Sequence, residues 1–193
     1  MKEIISTIKQ KLQAASDPEV KEKILRLTSG AKCIGVKVPV IRDIAKSIKK
    51  EYELSFEEAR ELFDILCVDK CREEILFCIF LLALFPKKQM TVTWQQMEKW
   101  LPYIDNWETC DQLSCNIAIV LLHADENNFV KLMEYTQSPN LWIRRFAAAT
   151  AANSNHGRHS YPKQTKEICD RLKDEKEPMV KKAIKWALSE IHE

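Results

Sequence analysis

Glycine is almost missing from this chain, with three in 193 residues. Ordinary usage is about 7%. A fold with many tight β-turns needs more, so the shortage favours an all-helical architecture. Long apolar runs are also absent. The most hydrophobic stretch, ILFCIFLLALF at 75–85, has eleven residues, and a membrane-spanning helix needs about 20. The first residues, MKEIISTIKQKLQ, alternate charge with apolar groups and lack the continuous apolar core of a signal peptide. The expectation is a soluble, cytoplasmic protein with no membrane association. Cysteine is plentiful, at seven, yet no pair shows the Cys-x-x-Cys spacing of a zinc knuckle or redox site. Several sit inside apolar runs, as in CREEILFCIF. Cys67 and Cys71, one helical turn apart, read as two small core hydrophobes rather than as a ligand pair. Free thiols of this kind indicate a reducing compartment. Neither a metal nor a cofactor is expected.

Apolar residues make up 46% of the chain and charged residues 30%, the balance of a globular protein long enough to bury a sizeable core. The net charge is only +2, but it is spread unevenly. Between Glu51 and Glu74 acids far outnumber Arg60, Lys70 and Arg72. From Tyr135 to Lys166 there is no acid at all, while Arg144, Arg145, Arg158, Lys163 and Lys166 are present with His156 and His159. This polarity points to an anionic partner facing the second half. The alternative is a charge-segregated, solvated surface.

Helix punctuation is frequent. Asp17-Pro18 places a cap and then proline at the first helical position, and Gly30 can end that helix. Pro39 opens PVIRDIAKSIKK, and Ser55 to Glu58 forms a capping box for SFEEARELFDILC. About eleven helices with short connections are expected, and no linker divides the chain, so residues 1–193 are taken as one domain. The segments VPVIRDIAKSI, CREEILFCIFL, NWETCDQLSCNIAI, NLWIRRFAAATAA and EPMVKKAIKWALS begin at 38, 71, 106, 140 and 177. A second helix fits in each gap. A period of roughly 35 residues is the mark of a HEAT-like two-helix repeat, stacked into an α-solenoid whose concave face suits an elongated partner.

In the segment that begins near Asn106, Cys110, Leu113, Ile117, Val120 and Leu121 form an apolar stripe facing the core. Trp107, Asp111, Ser114 and Ala118 fall on a neighbouring face, so Trp107 and Asp111 can point into the same space. Read locally, this could equally be a half-buried tryptophan beside a solvated acid. One repeat further on lie Arg144 and Arg145; two further on lie Lys181, Lys182, Lys185 and Trp186. Cations interleaved with flat aromatic surfaces suit a phosphate backbone with sugars or bases between its charges.

At these residues the chain resembles the DNA alkylation repair glycosylases of the AlkD type, which are built from HEAT-like repeats. The resemblance runs from GVKVPVIR (35–42) through NWETCD (106–111) and NLWIRRFAA (140–148) to KKAIKWALSE (181–190). It implies a monomeric, monofunctional glycosylase that removes N3- or N7-alkylated purines from duplex DNA, as part of base excision repair. By motif, Asp111 is the catalytic carboxylate, Trp107 packs against the lesion's deoxyribose and Arg145 holds the phosphate beside the reacting sugar. Trp186 is the second aromatic of the cleft, and Arg42 contacts the backbone. The basic residues Arg144, Arg158, Lys163 and Lys182 complete the expected DNA surface. Three departures stand out. The chain stops soon after Trp186, where relatives commonly continue, which implies a weaker grip on DNA. The segment KILRLTSG, before Gly35, lacks an aromatic that active relatives can carry there. The loop NSNHGRHSYPK (153–163) looks like a family-variable insertion. Two other readings stay open: a catalytically inactive relative that binds damaged or branched DNA, and a protein-binding scaffold working through the acidic stretch 51–74.

Overall fold

Asp17 opens one helix as expected: its Oδ1 accepts from the N–H groups of Glu19 and Val20, satisfying donors that the first turn leaves unpaired. Ser55 and Glu58 form the reciprocal capping box. With such caps the chain builds only helices among the residues that this computed structural model describes, which are 1–28, 30–86, 91–156 and 160–191. In order they are α1 (Lys2–Ala14), α2 (Pro18–Leu27), α3 (Val38–Glu51), α4 (Phe56–Leu66), α5 (Arg72–Ala83), α6 (Trp94–Glu98), α7 (Trp107–Leu113), α8 (Ile119–Ala124), α9 (Phe129–Tyr135), α10 (Leu141–Ser154), α11 (Pro162–Arg171) and α12 (Pro178–Ser189). A π-helical turn, Ser114–Ala118, joins α7 to α8. The starts of α3, α5, α7, α10 and α12 lie within one residue of the positions read from the repeat spacing. The fold is an all-helical repeat solenoid. No helix among the described residues is long and apolar enough to cross a membrane.

Two compact units result, Met1–Val92 with Gln96–Thr109, and Thr93–Gln95 with Cys110–Glu193. In the first, α5 is enclosed by α3 and α4. Every residue from Arg72 to Leu82 is buried, which is why its sequence is apolar almost all round rather than along one stripe. Phe63 stacks on Trp100 with centroids 4.1 Å apart, and Trp100 Nε1 donates to Asp64 Oδ1 at 2.7 Å. In the second unit α10 is the central helix, packed against α9, α11 and α12. Its run Ala147, Ala148, Ala149, Ala151 and Ala152 is fully buried, and methyl-sized side chains let neighbouring helices approach closely. Cys67 and Cys71 are core residues, 1% and 3% exposed.

Candidate functional site

Helix α7 begins at a cap. The buried Asn106 side chain accepts from Thr109 N–H at 3.1 Å, occupying one of the first-turn donors. Trp107 is therefore the first residue of a fixed helix, and its half-buried indole Nε1–H donates to Leu27 O at 3.1 Å. Leu27 ends α2, so its carbonyl is one of those a helix C-terminus leaves unpaired. Its side chain is 50% exposed; an aliphatic residue stands here, in the segment that lacks an aromatic.

Also within the first unit, three charged residues of this region are withdrawn from water. Arg72, Glu73 and Glu74 are 3%, 0% and 5% exposed. Glu73 accepts from the N–H groups of Ile34 (2.8 Å), Gly35 (3.1 Å) and Val36 (3.2 Å). Arg72 donates from Nη1 to Glu73 Oε1 at 2.8 Å and to Val36 O at 3.2 Å, and from Nε to Glu108 Oε2 at 2.6 Å. The only mark of this in the sequence is three successive charges, Arg-Glu-Glu, abutting an unbroken apolar run. The acidic stretch 51–74 is therefore not one open face. Its last two acids are buried, Asp64 accepts from Trp100 and Gln96, Asp69 pairs with Lys9, and Glu51 pairs with Lys11. That removes the surface on which the scaffold reading relied.

In the second unit Asp111 and Arg145 meet. Arg145 Nε donates to Oδ1 at 3.0 Å and Nη2 to Oδ2 at 2.7 Å, a two-pronged ion pair. Nη1 donates to the Met179 carbonyl at the start of α12. The side chains are 20% exposed for Asp111 and 7% for Arg145. Three of the five N–H groups of this guanidinium are thus committed, and both carboxylate oxygens are covered. Next to the acid, burial pushes the Cys110 thiol well above its ordinary range, so the group poised here is the carboxylate.

The π turn that follows Asp111 departs from the sequence reading. An extra residue in the turn displaces the α-helical register, so Ser114 and Ala118 are fully buried rather than lining an open face. Ser114 Oγ accepts from the buried Asn153 of α10 at 3.0 Å, and Asn116 Nδ2 donates to the Gln112 carbonyl at 2.8 Å. The turn keeps its polar groups partnered and bonds α7–α8 to the helix that carries Arg145.

The remaining expected residues scatter. Trp186 is half-buried against Ala152, Cys169 and Ala187, and its Nε1 donates to Glu190 Oε1 at 2.9 Å. It lies two turns along α12 from the Met179 carbonyl, about 10 Å by helical rise. The other Glu190 oxygen faces His156 Nδ1 at 3.7 Å. Arg144 has become a structural clamp: Nε and Nη2 pair with Glu175 at 2.6 and 3.2 Å, and Nη1 donates to the Ser138 and Pro139 carbonyls. With four of its N–H groups committed, Arg144 has little left to offer a DNA phosphate. Arg42 is exposed and lies over the Phe80 ring at 4.6 Å, so its charge is carried on an aromatic face. Lys182 and Lys163 are exposed on α12 and α11. Arg158 and His159 lie outside the described residues.

The family model described as DNA alkylation repair enzyme matches residues 8–193. No curated protein sequence matches the chain.

Proposed function

Since the chain belongs to the DNA alkylation repair enzyme family, we propose that it hydrolyses the N-glycosidic bond of N3- or N7-alkylated purines in duplex DNA. The observation that carries the reading is the partly exposed carboxylate of Asp111, fixed by a nearly buried arginine on a neighbouring helix. Alkylation at N3 or N7 makes the purine a cationic leaving group that needs no general acid. As its bond to C1′ breaks, positive charge grows on the sugar. A fixed carboxylate about 4 Å away stabilises that charge by about 4 kcal/mol at an effective dielectric constant near 20. This corresponds to about three decades in rate, the scale typical of one preorganised electrostatic contact. Asp111 also orients the attacking water. Trp107 is the wall against the deoxyribose and Trp186 the second aromatic. Arg145 turns its two uncommitted N–H groups towards the phosphate, while Arg42, Lys163 and Lys182 meet the backbone. The protein acts as a monomer, without a cofactor.

One observation favours a second reading. Both Asp111 oxygens are occupied by Arg145, which suits a relative that binds damaged DNA without cutting the glycosidic bond. Base release from a duplex carrying 7-methylguanine, followed by chromatography with Asp111→Asn as control, separates the two. Release by the native chain and its loss in the variant supports hydrolysis. No free base from the native chain, with binding retained, establishes the non-catalytic reading instead.

A further inference from the structure

The buried charges around Arg72 are not explained by the chemistry at Asp111. Glu73 is completely enclosed, which a carboxylate tolerates only when fully hydrogen-bonded. It takes three consecutive backbone N–H groups of residues 34–36, acting as an internal anion in a nest of amides. Those residues are in turn bound to the start of α2. Gly35 O accepts from Asp17 N at 2.9 Å, and Ile34 O from Ser16 Oγ at 2.7 Å. Gly35 adopts φ +101°, and a Cβ there would lie 2.6 Å from Lys21 Cβ on α2. Helix α2 is thereby placed against the segment that Glu73 holds, and its last carbonyl receives the Trp107 indole.

The same arginine reaches the other partner of that hydrogen bond. Arg72 Nε holds Glu108, the residue after Trp107, at 2.6 Å. A closed circuit runs from Arg72 through Glu108 to Trp107, across to Leu27 and α2, and back through Gly35 and Glu73. We infer that Arg72 is a positioning residue for Trp107, fixing the first turn of α7 through Glu108 and the acceptor of the indole through Glu73. Arg72 touches neither Trp107 nor Leu27 by these bonds; it sets where both stand. The catalytic consequence rests on the glycosylase reading, in which Trp107 shapes the sugar's surroundings. The geometric consequence does not.

Fluorine NMR of the full chain labelled with 5-fluorotryptophan reads the geometry directly. There are five tryptophans, and Trp107→Phe assigns the resonance of interest. Glu108→Gln keeps the side chain's size and removes its charge at a partly exposed position, so it tests the circuit in a folded protein; Arg72→Lys tests its centre. Both variants are expected to shift or broaden the Trp107 resonance while leaving the other four in place. In single-turnover assays on a 7-methylguanine duplex, base release falls between about tenfold and a hundredfold, and affinity for undamaged duplex stays within about twofold. An unchanged Trp107 resonance in folded Glu108→Gln overturns the inference. So does an equal disturbance of all five resonances, which marks a general loosening. If the native chain releases no base, the glycosylase reading falls and the resonance alone decides the positioning role. If it releases base and Glu108→Gln matches it in rate and spectrum, only the positioning role falls.

Discussion

Replacing Asp111 with asparagine tests the ion pair and the chemistry together. In the native protein Arg145 is 7% exposed at its side chain, and two charge-assisted bonds of 3.0 and 2.7 Å hold it to Asp111. Asparagine keeps one acceptor but turns an N–H₂ group towards a guanidinium N–H, so one bond is lost and two donors face each other. Losing one partner of a buried pair costs about 3–5 kcal/mol. Asp111 is 20% exposed, and water reaching it lowers the expected loss to about 2–4 kcal/mol. For a chain of this length that is a fall in melting temperature of roughly 5–15 °C. Excision falls by about 10²–10³. Undamaged DNA behaves the opposite way. Arg145 loses its counter-charge, so affinity rises at low salt, and log K against log salt steepens by up to about 0.9 for one additional phosphate neutralised. Thermal melts, single-turnover base release and fluorescence anisotropy across a salt series check these three outcomes. Adding Arg145→Ala completes a double-mutant cycle, with coupling of about 1–3 kcal/mol in stability. An unchanged salt slope together with additive stability losses would refute the pair as the organiser of this site.

Glu175 gives a prediction in pH. Hydrogen bonds from the Arg144 guanidinium, with help from backbone N–H groups, hold its carboxyl at about 2 instead of the ordinary 4.5. A depressed acid stabilises the fold above its unfolded value and loses that contribution as pH falls from about 4.5 towards 2. At about 1.36 kcal/mol per unit, the contribution at pH 7 is up to about 3 kcal/mol. Glu175→Gln should therefore lower urea stability at pH 7 and have little effect near pH 2; an equal loss at both ends contradicts the assignment. Thiol labelling at pH 8 should consume one cysteine quickly, the exposed Cys115, and the other six only on unfolding. Burial lifts the Cys67 thiol to about 12 and those of Cys71 and Cys169 to about 11. Gly35→Ala should cost about 2–4 kcal/mol, from strain at positive φ and from overlap with α2. In a thermal melt, Gly30→Ala should cost only about 1 kcal/mol, since its Cβ meets no atom within 4 Å and only its φ of +89° is strained.

Apolar periodicity made most of the fold legible. It located the helices that begin at Val38, Arg72, Trp107, Leu141 and Pro178 to within a residue, because a stripe facing the core recurs whenever a repeat recurs. The site was legible in part. Asp111 and Arg145 were each identifiable as candidates, but not as partners of one another. The period of 3.6 residues, carried straight through the helix, made Ser114 and Ala118 neighbours of Asp111 on an open face. A single inserted residue buries both, and nothing in SCNIA announces a π turn. Trp186 was identifiable as an aromatic of the last repeat, while its bond to Glu190 depends on a rotamer that no spacing specifies.

Charge was harder to read than hydrophobicity, and the repeat itself explains why. Counting acids and bases in a window of 20 or 30 residues assumes that neighbours in sequence are neighbours in space. In this fold the polar partners lie about one repeat apart. Arg72 reaches Glu108 across 36 residues, Arg144 reaches Glu175 across 31, and Arg145 reaches Asp111 across 34. Trp100 reaches Asp64, again across 36. The acid-free span from Tyr135 to Lys166 is therefore no cationic surface at its centre, because Arg144 and Arg145 draw their acids from the repeats after and before. The cations left for a polyanion are those whose side chains stay exposed, such as Arg42, Lys163 and Lys182. Affinity for undamaged DNA should follow these three, while Arg145 governs what happens at the lesion. Removing the exposed cations should flatten the salt dependence by about 0.9 for each phosphate no longer neutralised and leave the single-turnover rate on saturating lesion duplex within about twofold. A rate that falls in step with affinity would place one of them at the reacting sugar instead.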